Sequence, residues 1–112
     1  MAALTAITPT RAGALSAGAA VAASDTISAA QLGAKGALLE ILNGNASPDT
    51  MSISDASATP TGATAAANAP SVTNATNKVF YIHPSAADPT TGLVTVTHSV
   101  TATVTYKLYP LG

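Results

Sequence analysis

An alternation of apolar and polar residues near the C-terminus is the clearest pattern in the sequence. From Val94 to Leu108, every second residue is Val, His, Ala, Tyr or Leu, and the residues between them are mainly Thr. This period of two is typical of a strand with one buried and one solvated face. Because the segment 93–109 is longer than the usual strand, we expect a bend or tight corner near residues 99–101 that splits it in two. A single long bent strand is the alternative.

Two shorter apolar segments in the middle of the chain predict further strands. Residues 37–42 form the largest apolar cluster and end at the turn-forming pair Asn43-Gly44. A second alternation follows the turn and places Met51 and Ile53 on one face. We interpret the two segments as a β-hairpin with a long loop. A helix over residues 37–42 is the alternative, because short apolar runs suit either structure.

The region after this pair contains one confident strand and one tract with little pattern. Residues 78–83 predict a strand that ends at Pro84. The tract 55–76 consists mainly of Ala, Thr, Ser and Asn. Because a structureless loop of this length is uncommon inside a compact domain, the tract either packs as an ordered excursion on a partner or contains short strands such as Ser71-Val72-Thr73. We interpret it as a loop.

The N-terminal residues differ from the rest in being rich in Ala and poor in large apolar side chains. Ordering a residue costs about 1–2 kcal/mol, and Ala buries little area in return. We therefore expect an extended arm that orders only against its own sheet or a neighbouring subunit, followed by a short strand near residues 21–27. A short helix within 12–23 is the alternative. The expected division is an Ala-rich arm over residues 1–30 and a β-module over 31–112.

These segments together predict an all-β chain. The expected architecture is a small antiparallel β-sandwich, of jelly-roll or immunoglobulin-like type, with an extended N-terminal arm.

Composition narrows the classes of function. The chain has 112 residues, a formal net charge of −1, only 8% charged residues and no cysteine. A protein with so few basic residues lacks the electrostatic footprint of nucleic-acid binding, and a chain without cysteine has no thiol nucleophile or disulfide scaffold. No apolar run is long enough to predict a membrane span. A surface of Thr, Ser, Asn and Ala suits a protein that lies against another protein, although a secreted Thr-rich module is also compatible.

The titratable side chains do not form a recognisable catalytic or metal site. His83 and His98 would have to meet near further ligands to hold a metal, so we interpret both as structural. Glu40 stands inside an apolar strand, where we expect it on the solvated face, with an ion pair across a subunit interface as the alternative. We predict no catalytic, metal or cofactor residues and no enzymatic activity. The carboxylates are spread singly along the chain, mostly at expected caps and turns: Asp25, Glu40, Asp49, Asp55 and Asp88.

The order of segments resembles the small head decoration proteins of tailed bacteriophages, especially those that infect actinobacteria. The similarity covers most of residues 24–112. It consists of a Ser24-Asp25-Thr26 step, an apolar strand, the turn Asn43-Gly44-Asn45-Ala46-Ser47-Pro48, a Thr/Ser strand, and the alternating segment that ends near Leu111-Gly112.

This resemblance implies a structural virion protein on the outer surface of the capsid. Its partners would be the phage major capsid protein and copies of itself, as a trimer at local three-fold axes, where it would stabilise contacts between capsomers. Nucleic acid and membranes are not expected partners, and no cofactor is implied. The alternatives are another virion structural protein, such as a tail-tube or connector subunit, or a secreted β-sandwich binding or adhesion module.

We predict that the isolated chain gives a far-ultraviolet circular dichroism spectrum rich in β-structure, because period-two alternation is the dominant pattern. A spectrum with more than about a third of the residues in helix would contradict the all-β fold.

Overall fold

The computed structural model describes residues 2–13, 18–57, 61–63, 66 and 68–112, and these residues contain nine strands. One helical turn, α1 (Ala29–Leu32), follows the third strand, and a 3₁₀ turn spans Pro84–Ala86. The strands are β1 (Ala2–Ala3), β2 (Ala19–Ala20), β3 (Ser24–Ser28), β4 (Ala37–Asn43), β5 (Asp49–Ile53), β6 (Ser71–Val72), β7 (Thr76–Ile82), β8 (Leu93–His98) and β9 (Val104–Pro110).

The strands form two sheets that pack as a sandwich. The first sheet has the order β1-β3-β8-β5-β6 and the second has the order β2-β9-β4-β7. Apart from the parallel pair β1–β3, neighbouring strands are antiparallel. From β2 to β9 the chain changes sheet at every connection except that between β5 and β6. The four-stranded sets β3-β8-β5-β6 and β2-β9-β4-β7 make the double Greek key of a jelly roll, and β1 adds a fifth strand at the edge of the first sheet. The predicted all-β sandwich is confirmed, and its strand order is of the jelly-roll type.

The core lies between the two sheets and is built from alternate residues of the long strands. The C-terminal alternation predicts burial of Val94, Val96, Val104, Tyr106 and Leu108, and all five side chains are buried, which confirms the face assignment. Fully buried aliphatic side chains come from both sheets. They include Ile27, Val94 and Val96 of the first sheet and Leu39, Ile41 and Leu108 of the second.

The alternating segment is divided between the sheets. Strand β8 belongs to the first sheet and β9 to the second, and residues 99–103 turn the corner between them. The prediction of two strands is therefore confirmed. The corner contains no glycine, and Thr103 adopts the left-handed backbone conformation instead, with φ of 58°, which is uncommon for a β-branched residue.

The predicted hairpin over residues 37–54 is wrong. Strands β4 and β5 lie in different sheets, and the turn between them crosses the sandwich. The side chain of Asn43 is buried, and its Nδ2 donates to the carbonyls of Ser47 and Val72, so it links the end of β4 to β6. The Gly44 N–H donates to the Thr103 carbonyl, and a Cβ on Gly44 would lie only 2.9 Å from that oxygen. The Asn-Gly pair therefore builds a crossing between sheets.

The extended N-terminal segment orders against the sheets of its own chain. Strand β1 pairs with β3, the side chain of Leu4 is buried in the core, and Ala6 forms a parallel bridge to Leu108 of β9. Residues 2–7 thus connect the first sheet to the second along one side of the sandwich. Strand β3 lies inside the first sheet, so that sheet already begins within the block 1–30. Part of the alternative helix, residues 14–17, lies outside the described residues.

The low-complexity tract contains the short strand that its sequence suggested. Residues Ser71–Val72 form β6, the side chain of Val72 is fully buried, and β7 begins at Thr76. Asn68 forms a bridge to Ile53, so this part of the tract extends the first sheet. Residues 58–60, 64–65 and 67 of the tract lie outside the described part of the chain.

We expect Val104→Asp to lower the free energy of unfolding by about 4 kcal/mol, because it places a charge among fully buried aliphatic side chains. The matched variant Thr103→Asp changes an exposed residue whose backbone conformation Asp tolerates, so its effect should stay within about 0.5 kcal/mol. Urea denaturation measures both, and equal losses would contradict the assignment of the two faces.

Candidate interaction surface

The two histidines predicted to be structural lie in different environments. The Nδ1 atom of His83 accepts a hydrogen bond from the Ser85 N–H at 3.1 Å and lies 2.7 Å from the Ser85 hydroxyl, so the ring caps the 3₁₀ turn that follows it.

Among the described residues, no group of three or more His, Asp or Glu side chains is placed to hold a metal ion. No helix in that part of the chain is long and apolar enough to cross a membrane.

His98 forms a buried pair with Asp49. The His98 Nδ1 lies 2.6 Å from the Asp49 Oδ2, and the two side chains are 1% and 0% exposed. The other carboxylate oxygen of Asp49 accepts hydrogen bonds from the N–H groups of Ser99 and Val100, at 3.0 and 3.4 Å. The pair therefore ties the start of β5 to the corner after β8. Sequence reasoning missed this contact, although Asp49 shares the alternation of Met51 and Ile53 and so belongs to the buried face.

Other carboxylates serve local turns. The Asp25 Oδ2 accepts from the Ala22 N–H at 3.0 Å, and the Asp88 Oδ1 accepts from the Thr90 N–H at 2.8 Å. Hydrogen bonds from the Ser57 hydroxyl and from its backbone N–H lower the pKa of the Asp55 carboxyl below its ordinary value of 3.8, because they favour the charged form. These three carboxylates therefore act within local turns.

The outer face of the first sheet is made of hydroxyl side chains. Thr26 of β3 is paired with Thr95 of β8, Ser24 with Thr97, and Thr97 also with Ser52 of β5. Residues paired across strands project to the same side of a sheet. This face is consequently a polar layer of Ser and Thr.

The outer face of the second sheet carries more large apolar side chains than that of the first. Three cross-strand rows run over β7, β4 and β9, and the side chains of Val79 and Tyr81 are each 54% exposed. Leu38, Leu42 and Tyr109 are half-buried on the same face. The three rows together contain nine residues, which we call the apolar face. Its rows are Tyr81–Leu38–Tyr109, Val79–Glu40–Lys107 and Asn77–Leu42–Thr105.

Glu40 lies at the centre of the apolar face. Its cross-strand neighbours are Val79 on β7 and Lys107 on β9, and its Oε2 accepts a hydrogen bond from the Asn77 Nδ2 at 2.8 Å. The expectation that Glu40 projects to the solvated side agrees with this position. With Lys107, Asn77 and Thr105, Glu40 makes four of the nine residues of this face polar, and charged groups at fixed places restrict how a partner can dock.

The comparisons with known proteins give no relative. No protein-family model, curated protein or solved structure matches this chain.

We expect Asp49→Ala to lower the free energy of unfolding by about 3–5 kcal/mol, because it leaves a buried imidazole and two corner N–H groups without their acceptor. The control is Asp88→Ala, which removes a single exposed hydrogen bond to Thr90 and should cost about 1 kcal/mol. Chemical denaturation of both variants tests the difference, and a loss at Asp49 no larger than the loss at Asp88 would contradict the structural role of the pair.

Proposed function

We propose that this chain is a structural virion protein that decorates the outer surface of a phage head, where it binds the major capsid protein through the apolar face and stabilises contacts between capsomers. The observation that carries the proposal is the apolar face itself. Exposed apolar patches on small proteins commonly mark surfaces that contact another protein. The face extends over three neighbouring strands, and so suits a broad protein surface better than a small ligand, which usually binds in a concave pocket.

The energetics of such a contact favour attachment in many copies. Burying apolar surface contributes roughly 25 cal/mol per Å², but association also loses translational and rotational freedom. One patch of a few half-exposed side chains therefore gives a modest affinity. A shell with a repeated lattice of sites compensates for weak individual contacts, because contacts between neighbouring copies add to each copy's contact with the shell.

Two further properties support a role on a shell. With 8% charged residues and a net charge of −1, the chain has little charge to repel a neighbouring copy. Its jelly-roll strand order recurs in viral capsid proteins, which supports the proposal by analogy of fold alone. The trimer at local three-fold axes stays a prediction from the resemblance, and it concerns copies bound to the shell and not the purified chain in solution.

A secreted binding or adhesion module is the second candidate. It is favoured by Tyr81 and Tyr109, whose rings flank Leu38 on the apolar face. Aromatic rings combine a large contact area with a polar end, and they are common platforms for sugar rings. Binding of the purified chain to a panel of immobilised glycans would favour this candidate over the virion role.

The proposal predicts that purified particles of the source phage contain this chain in a copy number comparable to that of the major capsid protein. Quantitative mass spectrometry of gradient-purified particles measures the ratio. Absence of the chain from the particles, or a few copies per particle, would contradict decoration of the whole shell.

A variant pair tests the docking surface. Leu38→Asp places a second carboxylate beside Glu40 on the apolar face, so binding to heads that lack the protein should weaken at least tenfold, or about 1.4 kcal/mol. Ser52→Asp introduces the same charge on the outer face of the first sheet and should leave binding unchanged. Co-sedimentation with undecorated heads measures both, and equal behaviour of the two variants would exclude the apolar face as the docking surface.

A further inference from the structure

The two edges of the second sheet differ. At one edge, the outer side of β9 is covered by other parts of the chain. The two-residue strand β2 pairs with Thr105 and Tyr106, and Ala6 forms a bridge to Leu108. At the opposite edge lies β7, which has seven residues, and none of the described strands pairs with its outer side. A long exposed edge strand presents unpaired N–H and C=O groups that can pair with a further strand.

The hydrogen bonds of β4 show which backbone groups of β7 are unpaired. Gly36 and Gly44 flank β4. The Leu111 N–H donates to the Gly36 carbonyl and the Gly44 N–H donates to the Thr103 carbonyl. The backbone N–H and C=O groups of the even-numbered residues of β4 therefore point toward β9. In antiparallel pairing, alternate residues point their backbone groups to opposite sides. The odd-numbered residues of β4 therefore bond to the even-numbered residues of β7, their partners in register. The N–H and C=O groups of Asn77, Val79 and Tyr81 consequently point away from the sheet.

Strand β7 lacks the features that commonly protect an edge. It contains no proline, and its side chains at Val79 and Tyr81 are exposed. Its single charged residue is Lys78, and the Lys78 ammonium donates to the Ser71 carbonyl at 3.1 Å. That side chain is therefore directed back onto β6, whereas a protective lysine would project into solvent beyond the edge.

We propose that two copies of this chain pair β7 with β7 in antiparallel orientation, around a two-fold axis at Val79, and so join their four-stranded second sheets into one continuous sheet. Val79 is the midpoint of β7 (Thr76–Ile82). Centred there, Asn77 lies opposite Tyr81 of the partner subunit and Val79 opposite Val79 of the partner subunit. All three outward N–H and C=O pairs then meet unpaired groups, with two hydrogen bonds at each pair.

The neighbouring registers are worse for identifiable reasons. A shift toward the N-terminus places Lys78 opposite Lys78 of the partner subunit and requires Ala75 to pair, although its φ of 61° is not that of a strand. A shift toward the C-terminus requires the His83 carbonyl, which already accepts from the Ala86 N–H. A register whose axis lies midway between two residues pairs odd-numbered with even-numbered residues of β7. The outward N–H and C=O groups of one copy would then meet residues of the partner subunit whose own groups point toward β4. In the Val79-centred register, Lys78 lies opposite Phe80 of the partner subunit, so no like charges meet.

Self-pairing is tested on the purified chain in solution and does not depend on the proposed role on a capsid. The edge alone forms a small interface, so we expect a concentration-dependent equilibrium of monomer and dimer in sedimentation velocity. Val79→Pro should abolish the dimer without lowering the melting temperature, because the N–H it removes points away from β4 and meets no acceptor in the described strands, and proline is tolerated on edge strands. The matched variant Val79→Thr keeps that N–H and should still form the dimer.

Cross-linking tests the register separately, including the case in which Val79→Pro fails to fold. The chain has no cysteine, so Val79→Cys and Tyr81→Cys each introduce a single thiol. A short bifunctional thiol reagent should link two copies through position 79 and not through position 81. In this register position 79 lies opposite position 79 of the partner subunit, whereas position 81 lies opposite position 77 of the partner subunit, four residues along the strand from the other thiol. A monomer at all concentrations, a trimer, a dimer unaffected by a folded Val79→Pro, or cross-linking at position 81 would overturn the proposal.

Discussion

One buried carboxylate joins the two crossings on which the sandwich depends. Asp49 stands where the chain enters β5 after crossing from the second sheet, and it accepts hydrogen bonds from the N–H groups of Ser99 and Val100, where the chain leaves β8 to cross back. Its other oxygen is paired with His98. Because an unpaired carboxylate in the core would be costly, these partners fix the two crossings relative to each other. The hydrogen bonds from Gly44 to Thr103 and from the Asn45 side chain to the Ala102 carbonyl extend the same junction.

The face pattern of the long strands could be predicted from sequence, whereas the partners of those strands could not. Alternation alone assigned Val94, Val96 and Val104 to the core, because burial on one face requires a period of two. The same alternation is satisfied whether β4 and β5 pair in one sheet or face each other across the core. Two hydrogen bonds hold the turn after β4 in the crossing between the sheets. The Asn43 side chain donates to the Val72 carbonyl, and the Gly44 N–H donates to the Thr103 carbonyl. Both contacts join residues far apart in the chain. Strands of two residues, such as β1 and β2, are too short to show a pattern.

The candidate surface was only partly predictable for the same reason. Glu40 signalled a solvated face on the strand 37–42, and the residues 78–83 were recognised as a strand. Nothing in the local sequence shows that Val79 and Tyr81 project beside Glu40, because that requires the register between β4 and β7. The apolar character of the face also conflicts with the usual expectation that the outer side of a sheet is polar. The first sheet follows that expectation with its Ser and Thr layer, and the contrast between the two sheets is the reason why we propose the apolar face as a surface for contact.

The apolar face and the open edge belong to the same sheet but offer different chemical groups in perpendicular directions. Side chains of Leu38 and Tyr81 project normal to the sheet, whereas the unpaired N–H and C=O groups of β7 lie in its plane. A partner docked on the face and a strand added at the edge can therefore bind at the same time without competing for the same atoms. Pairing at the edge would also bring two apolar faces into one continuous surface, which doubles the area available to a broad partner. The two proposed contacts would cooperate, because a pair of copies would present two linked sites, and the second would bind at the high effective concentration set by the first.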